Sequence, residues 1–169
     1  GDPPPWICQC DVDRLLVSVG GRARGDSVYA GLEDLPPEVR IVVVHDAARP
    51  MADAGTIDRV IAGARAGNGV VAALPVVDTL KEVDDDGRVV RTIERARLWR
   101  AQTPQAFPRD MIERAYVEAR AQRITATDDA ALCERLGMPV IVVRGSERAM
   151  KVTDESDFAR LEALALLPE

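Results

Sequence analysis

Apolar positions follow two different periods along this chain. Short runs rich in Val, Ile and Leu, typical of strands, lie at 13–19, 40–44, 69–74, 139–144 and 150–152. Apolar residues at helical spacing lie at 27–35, 54–66, 108–122, 127–136 and 154–167. Because strands and helices alternate, the pattern predicts an α/β fold with a mostly parallel sheet and right-handed crossovers. The 169 residues, 47% of them hydrophobic, suffice for a single domain over 1–169.

The middle of the chain interrupts this alternation. Two β-like runs, 76–83 and 88–94, are joined by Asp84-Asp-Asp-Gly87, a strong hairpin turn. A hairpin at this place predicts a protruding β-arm over about 76–104 rather than another crossover. Farther along, Thr127 and Thr153 stand where helix N-caps are expected.

Charge and composition exclude several classes of partner. The formal net charge is −6 and the 22 basic residues are scattered, so a nucleic acid is not expected. No apolar run approaches the roughly 18 residues of a membrane span, and no secretory leader opens the chain, which favours a cytoplasmic protein without membrane contact. The three cysteines are too few for a disulfide framework and, with one histidine, for a zinc cluster.

Polar segments follow the predicted elements at five places. They are Gly20 to Ser27, His45 to Pro50, Asp78 to Lys81, Gln102 to Gln105, and Thr127 to Asp129 with Lys151 to Thr153. In open α/β sheets ligands bind at the carboxyl ends of parallel strands, so Asp46 and Arg49 would meet a nucleotide, metal ion or phosphate. Taken alone, the segment at 45–50 fits a strand-to-helix turn capped by Asp46 equally well.

The order and the residues of these segments resemble those of the 2-C-methyl-D-erythritol 4-phosphate cytidylyltransferases, from about Gly20 to the end of the chain. The resemblance implies a Rossmann-like nucleotidyltransferase fold. It also implies transfer of CMP from CTP to 2-C-methyl-D-erythritol 4-phosphate, a sugar-alcohol phosphate, with Mg²⁺ as cofactor and pyrophosphate as product. The enzyme would work as a homodimer joined through the arm.

The resemblance assigns a role to each matching residue. The residues that would bind the nucleotide are Gly20, Gly21, Ser27 and Asp46. The residues that would bind the substrate are Asp46, Ala47, Arg49, Thr79, Thr103 and Thr127. Lys151 and Arg95 would be catalytic, Lys151 by aligning the attacking phosphate and neutralising charge. Thr79 and Arg95 would reach the neighbouring subunit's site, and Asp46 is the candidate nearest to Mg²⁺.

Other interpretations remain open for the residues and for the chain. Ser27 and Thr127 could be helix caps, and Lys151 a surface lysine. The chain could be a ribitol-5-phosphate cytidylyltransferase, or a non-catalytic scaffold that kept the arm.

One feature of the family has no counterpart here. Its members open with a strand and a Gly-rich phosphate loop of the type Ala-Ala-Gly-x-Gly-x-Arg, and nothing similar precedes Gly20. Amides and cations of that loop would hold the triphosphate. We therefore expect an N-terminally incomplete chain that is possibly inactive as written, and Gly1 in place of Met agrees with this expectation.

Overall fold

The computed structural model describes residues 15–167. Five helices are found there: α1 (Arg24–Glu33), α2 (Ala54–Arg65), α3 (Arg109–Ala121), α4 (Asp129–Arg135) and α5 (Ser156–Ala165). Six strands accompany them: β1 (Ile41–Val44), β2 (Gly69–Pro75), β3 (Leu80–Val83), β4 (Val89–Ile93), β5 (Trp99–Pro108) and β6 (Val140–Arg144). These elements form an α/β fold, as the alternating pattern predicts.

The main sheet has four strands in the order β1, β5, β2, β6. β5 is antiparallel to both of its neighbours, and β2 pairs with β6 in parallel. β1, β2 and β6 therefore run in one direction, and β5 alone runs against them. The side chains of β2 explain its central place, because six of its seven residues are buried, as expected for a strand covered on both faces.

Alternate residues of the sheet build two cores, one on each face. Val71, Ala73 and Phe107 pack with the buried residues of α3 and α4. Val70 and Ala72 pack on the other face with residues of α2. Because successive side chains of a strand point to opposite faces, one short apolar run supplies both layers.

The largest error of the sequence-based prediction concerns β5. The pattern predicts no strand there, yet its residues Gln102 to Phe107 are buried at the centre of the sheet. The polar side chains that interrupt the apolar pattern of β5 make specific hydrogen bonds. Gln102 donates to the carbonyl of Ser146 at 3.0 Å, and Gln105 donates to Asp128 at 2.9 Å. A central strand can carry such residues when each amide is hydrogen-bonded.

Two of the predicted strands do not form within residues 15–167. Residues 15–19 form no strand, and the remainder of that run, at 13–14, lies outside the described residues. Residues 150–152 are also irregular, because their backbone crosses to the segment after β1, where the amide of Val152 donates to the carbonyl of Ala48 at 2.8 Å.

The predicted helix caps at Thr127 and Thr153 are wrong, and the alternative reading of Ser27 as a cap is not supported either. α1 begins at Arg24, so Ser27 lies inside its first turn rather than at its cap. Asp128, not Thr127, caps α4 through a 2.9 Å bond from the amide of Ala131. α5 begins at Ser156, and Thr153 instead donates from its amide and hydroxyl to Asp157.

The hairpin forms a small sheet of its own. β3 and β4 pair antiparallel around the turn at Asp84 to Gly87 and do not join the main sheet. All four residues of β3 and four of the five in β4 are exposed. The predicted boundary of the arm needs correction, because Trp99 and the residues after it belong to β5 and pair with β2.

Candidate active site

A tight turn at the carboxyl end of β1 positions Asp46. The amide of Asp46 donates to the hydroxyl of Thr103 at 3.0 Å, which ties the turn to β5. The amide of Arg49 donates to the carbonyl of Asp46 at 2.9 Å, and the His45 ring lies 2.9 Å from the carbonyl of Arg49. The backbone of this turn, which carries the Asp46 side chain, is therefore held from both sides.

Asp46 lies between two cations. Its Oδ1 accepts from Nε of Arg24 and its Oδ2 from Nζ of Lys151, each at 3.0 Å. Partial burial works to raise the pKa of Asp46, but the hydrogen bonds and charges of Lys151 and Arg24 outweigh it and lower the pKa below its usual value. Asp46 is therefore ionised at neutral pH, with both oxygens engaged.

Arg24 continues this chain of ion pairs into the core. Its Nη2 donates to Oδ2 of Asp129 at 2.7 Å, and the hydroxyl of Tyr116 donates to the other oxygen of Asp129. Burial works to lower the pKa of Arg24, but Asp129 and Asp46 raise it overall. Burial and the charge of Asp129 raise the pKa of Tyr116, so the phenol keeps its proton.

Arg49 is the third cation at this edge of the sheet. Its Nη1 donates to the carbonyl of Ala149 at 2.7 Å, and its Nε is buried without a partner. Burial lowers its pKa, opposed by the charge of Asp46. Arg49 lines the cavity described below, where a guanidinium is a suitable donor group for an anionic ligand.

These groups surround a cavity of about 250 Å³. Five of the residues that the sequence marks as substrate-binding or catalytic line it: Asp46, Arg49, Thr103, Thr127 and Lys151. Arg24, Gln102, Gln105, Asp128 and Ala101 complete the lining. The structure thus brings together residues from four of the five polar segments.

The remaining predicted residues do not line this cavity. Gly20, Gly21 and Ser27 are exposed just ahead of and within the first turn of α1, the helix that carries Arg24. Ala47 is exposed in the turn after β1. Thr79 and Arg95 are exposed at the base of the hairpin, where the Arg95 guanidinium donates to the carbonyl of Val77.

The paired glycines have a local steric role. The amide of Gly21 donates to the hydroxyl of Ser27 at 3.1 Å. A Cβ on Gly21 would come within 2.1 Å of the Asp26 side chain, closer than any real contact. The segment therefore needs glycine at 21 to lie this close to the helix.

Neither a metal-binding cluster nor a membrane span is found in the described part of the chain. Within residues 15–167 no group of three or more His, Cys, Asp or Glu could hold a metal ion. No helix there is long and apolar enough to cross a membrane. Cys133, which is buried, has its pKa raised to about 12 by burial and by nearby carboxylates such as Asp129.

The chain matches one family of known proteins along most of its length. The family model for IspD, 2-C-methyl-D-erythritol 4-phosphate cytidylyltransferase, matches residues 7–166. The chain belongs to this family. Relatives named 2-C-methyl-D-erythritol 4-phosphate cytidylyltransferase include one from Pelotomaculum thermopropionicum, 48% identical over 86% of this chain and 61% of its own length. Another, from Syntrophus aciditrophicus, is 45% identical over 87% of this chain and 63% of its own length.

Solved structures agree with the IspD assignment. The cytidylyltransferase from Thermus thermophilus superimposes with a TM-score of 0.80 at 36% identity, over 88% of this chain and 71% of that one. The IspD structure from Francisella tularensis gives 0.81 at 29% identity, over 91% and 73%. The α/β nucleotidyltransferase fold is therefore confirmed. The chain spans less than two thirds of the length of the two relatives named above.

The sequence interpretation assigned no role to Asp129 or to four polar residues of the cavity lining, Arg24, Gln102, Gln105 and Asp128. Each lies inside a polar segment that the sequence marks, but none was singled out. Arg24 carried a weak signal: it is a basic residue three positions after Gly21 and three before Ser27. Asp129 had no such signal, because its buried partner Tyr116 is 13 residues away on another helix.

Proposed function

We propose that the protein transfers CMP from CTP to 2-C-methyl-D-erythritol 4-phosphate. The products would be 4-diphosphocytidyl-2-C-methyl-D-erythritol and pyrophosphate, in the non-mevalonate route to isoprenoids and in the cytoplasm. Membership of the IspD family supports this reaction. The runner-up from the sequence, ribitol 5-phosphate as acceptor, is separated from it by the experiment below.

One observation carries the proposal. Arg24, Arg49 and Lys151, contributed by distant parts of the chain, all line one cavity beside the Asp46 carboxylate. The described residues of this lining carry three positive charges against the carboxylates of Asp46 and Asp128. A site of that composition suits an anion with several phosphate groups.

The proposed transfer of CMP needs no covalent bond to the protein. A phosphate oxygen of the acceptor attacks the α-phosphorus of CTP and forms a new P–O bond. The bond from that phosphorus to the β-phosphate bridging oxygen breaks, and its electron pair leaves with pyrophosphate. Catalysis is then alignment of the two phosphates and neutralisation of the charge gathered between them.

Lys151 is placed for that work. Its Nζ donates to Asp46, while 45% of its side chain is exposed and the residue lines the cavity. An ammonium has three donors, so one can stay with Asp46 while the others bind the approaching phosphates. Asp46 thus orients the cation that we propose as catalytic.

Mg²⁺ would be held chiefly by the nucleotide. Asp46 and Asp128 are the carboxylates of the cavity lining, and Mg²⁺ commonly takes one or two carboxylates together with phosphates and waters. We propose Asp46 as the protein ligand nearest to the ion. When bound, Mg²⁺ would neutralise phosphate charge.

The remaining roles extend beyond the cavity. Gly20, Gly21 and Ser27 would meet the cytosine ring, because backbone groups beside glycines can approach a base edge closely. Ala47 would lie beside the ribose and the acceptor. Thr79 and Arg95 would bind the acceptor's 4-phosphate in the partner's site, since both are exposed on the hairpin rather than in their own cavity. This arrangement requires a homodimer.

The experiment is a product assay on the protein as its gene encodes it. CTP and Mg²⁺ are offered with either 2-C-methyl-D-erythritol 4-phosphate or ribitol 5-phosphate, and pyrophosphate release and product mass are measured. We expect turnover with the methylerythritol compound. Preference for ribitol 5-phosphate would reject the proposed acceptor. Failure of CTP with Mg²⁺ to raise the melting temperature would favour a scaffold.

A further inference from the structure

Asp129 occupies an unusual position for a charged residue. Its side chain is 0% exposed, yet it carries a carboxylate on the first residue of α4. A buried charge is costly unless it is paired and hydrogen-bonded. Here the pairing reaches the active site, because the cation opposite Asp129 is Arg24, which also holds Asp46.

We propose that Asp129 is a positioning residue for the transfer reaction, acting through Arg24 to divide the two oxygens of Asp46 between Arg24 and Lys151. The inference rests on the proposed function and adds a residue to it. Asp129 does not itself line the cavity, and its carboxylate accepts from Arg24 and Tyr116. Its effect on the reaction must therefore pass through the guanidinium.

The geometry of Arg24 supports this division. Its Nη2 lies 2.7 Å from Asp129 and its Nε 3.0 Å from Asp46. A guanidinium binds a single carboxylate best with two parallel N–H donors. Because Asp129 engages Nη2, Arg24 offers Nε to Oδ1 of Asp46, and Oδ2 stays with Lys151.

Loss of the Asp129 charge would change that balance. Arg24 would be released to take both oxygens of Asp46 in a forked pair. Lys151 would then compete with Arg24 for Oδ2 and lose the contact that orients its ammonium. The proposed catalytic cation would then be misaligned. This misalignment should lower turnover strongly and weaken CTP binding much less.

Tyr116 provides a matched control. Its hydroxyl donates to the oxygen of Asp129 that does not face Arg24. Tyr116→Phe removes a buried hydrogen bond from the same carboxylate but leaves its charge and its contact with Arg24. Tyr116→Phe and Asp129→Asn should both lower stability, and only Asp129→Asn should disturb the site.

The experiment has one arm that does not depend on activity. In ¹⁵N-arginine-labelled protein, the Nε–H signal of Arg24 should be protected from exchange because it donates to Asp46 in a fixed position. We expect that signal to shift in Asp129→Asn, because Arg24 turns to a forked pair with Asp46, and to stay in place in Tyr116→Phe. Unchanged Arg24 signals in Asp129→Asn would overturn the proposal.

The second arm measures turnover. Asp129→Asn should lower kcat roughly tenfold or more with a much smaller change in the KM for CTP, in line with the loss of residues that orient ligands. Tyr116→Phe should stay within about twofold of the wild type. Equal kcat losses in the two variants would show a merely structural role and reject the proposal.

A third variant keeps the test valid if Asp129→Asn does not fold. Arg24→Lys retains the charge, on a half-exposed side chain, but one ammonium cannot reproduce the fork between two carboxylates. It should lower kcat roughly tenfold or more, as expected for Asp129→Asn. Where Asp129→Asn folds, the double variant should be no worse than either single variant, because both interrupt the same connection. Additive losses would contradict the proposal.

Lack of turnover in the wild type would reject the proposed function, and the NMR arm would still decide the role of Asp129.

Discussion

The cavity edge of the main sheet and the β3–β4 hairpin are built in opposite ways. At the cavity edge, Asp46 is held by Arg24 and Lys151, and the buried Asp129 is held by Arg24 and Tyr116. In the hairpin, nearly every side chain is exposed, including the apolar Val83, Val89 and Val90. A two-stranded hairpin is marginally stable by itself.

The difference indicates where each region finds its partners. The ion pairs at the cavity edge are complete within one chain, so the geometry there is set before any ligand arrives. The hairpin residues Thr79 and Arg95 are exposed and do not line the cavity of their own chain, so their proposed roles depend on another subunit. The predictions below separate a site organised within one chain from a hairpin that acts on its neighbour.

The largest contrast should appear in stability. Phe107 is completely buried on β5, so Phe107→Ala should lower the free energy of unfolding by about 3 to 5 kcal/mol. Val90→Ala, 60% exposed on β4, should change it by less than about 0.5 kcal/mol. Urea unfolding measures both. A Val90→Ala effect that grows with protein concentration would instead show that this face is covered by another subunit in solution.

Loss of Lys151 should be the largest effect on the reaction. Lys151→Ala should raise the activation free energy by about 2.7 to 4 kcal/mol, roughly a hundredfold to a thousandfold in kcat, with the fold intact. Lys151→Arg should recover little, because a planar fork does not replace a compact ammonium. Steady-state kinetics with saturating substrates gives the answer. Arg65→Ala, which removes an exposed cation in the last turn of α2, is the control and should behave as wild type.

The hairpin hypothesis predicts complementation between two inactive chains. Arg95→Ala and Lys151→Ala should each be nearly inactive. Random mixing should restore roughly a quarter of wild-type turnover, because half of the dimers are mixed and each mixed dimer has one intact site. Activity is measured after dissociation and reassociation of the subunits. No recovery in verified mixed dimers would place both residues in the same chain's site.

The smallest expected effect is a pH dependence of stability at the cavity edge. The pKa of Asp46 is lowered in the folded protein, because its bonds to Lys151 and Arg24 outweigh burial. Its contribution is therefore complete above the usual Asp pKa of about 4 and is lost as pH falls through the lowered value. The stability gap between wild type and Asp46→Asn should narrow below about pH 4, as measured by urea unfolding. Asp85→Asn, at an exposed position of the hairpin turn, is the control and should change stability by less than about 0.5 kcal/mol.

Local patterns predicted most elements of the fold, and long-range contacts account for the errors. The apolar runs of β1, β2 and β6 and the helical spacing of α2 and α3 are visible in the sequence. The strand β5 is not visible in the sequence. Its residues Gln102, Thr103 and Gln105 are polar, and their hydrogen-bond partners lie in distant loops. The site shows the same division. Asp46 and Lys151 could be selected from their segments, whereas the Arg24–Asp129 pair spans 105 positions and leaves no periodic signal.

The central claim is that CMP transfer takes place in the cavity between Asp46, Arg49 and Lys151. A crystal structure of the protein with CTP and Mg²⁺ tests it most directly. We predict the α-phosphate within hydrogen-bond distance of Lys151 Nζ and the cytosine beside Gly20, Gly21 and Ser27. Nucleotide bound elsewhere on the protein, with Lys151 paired only to Asp46, would contradict the assignment of the reaction centre.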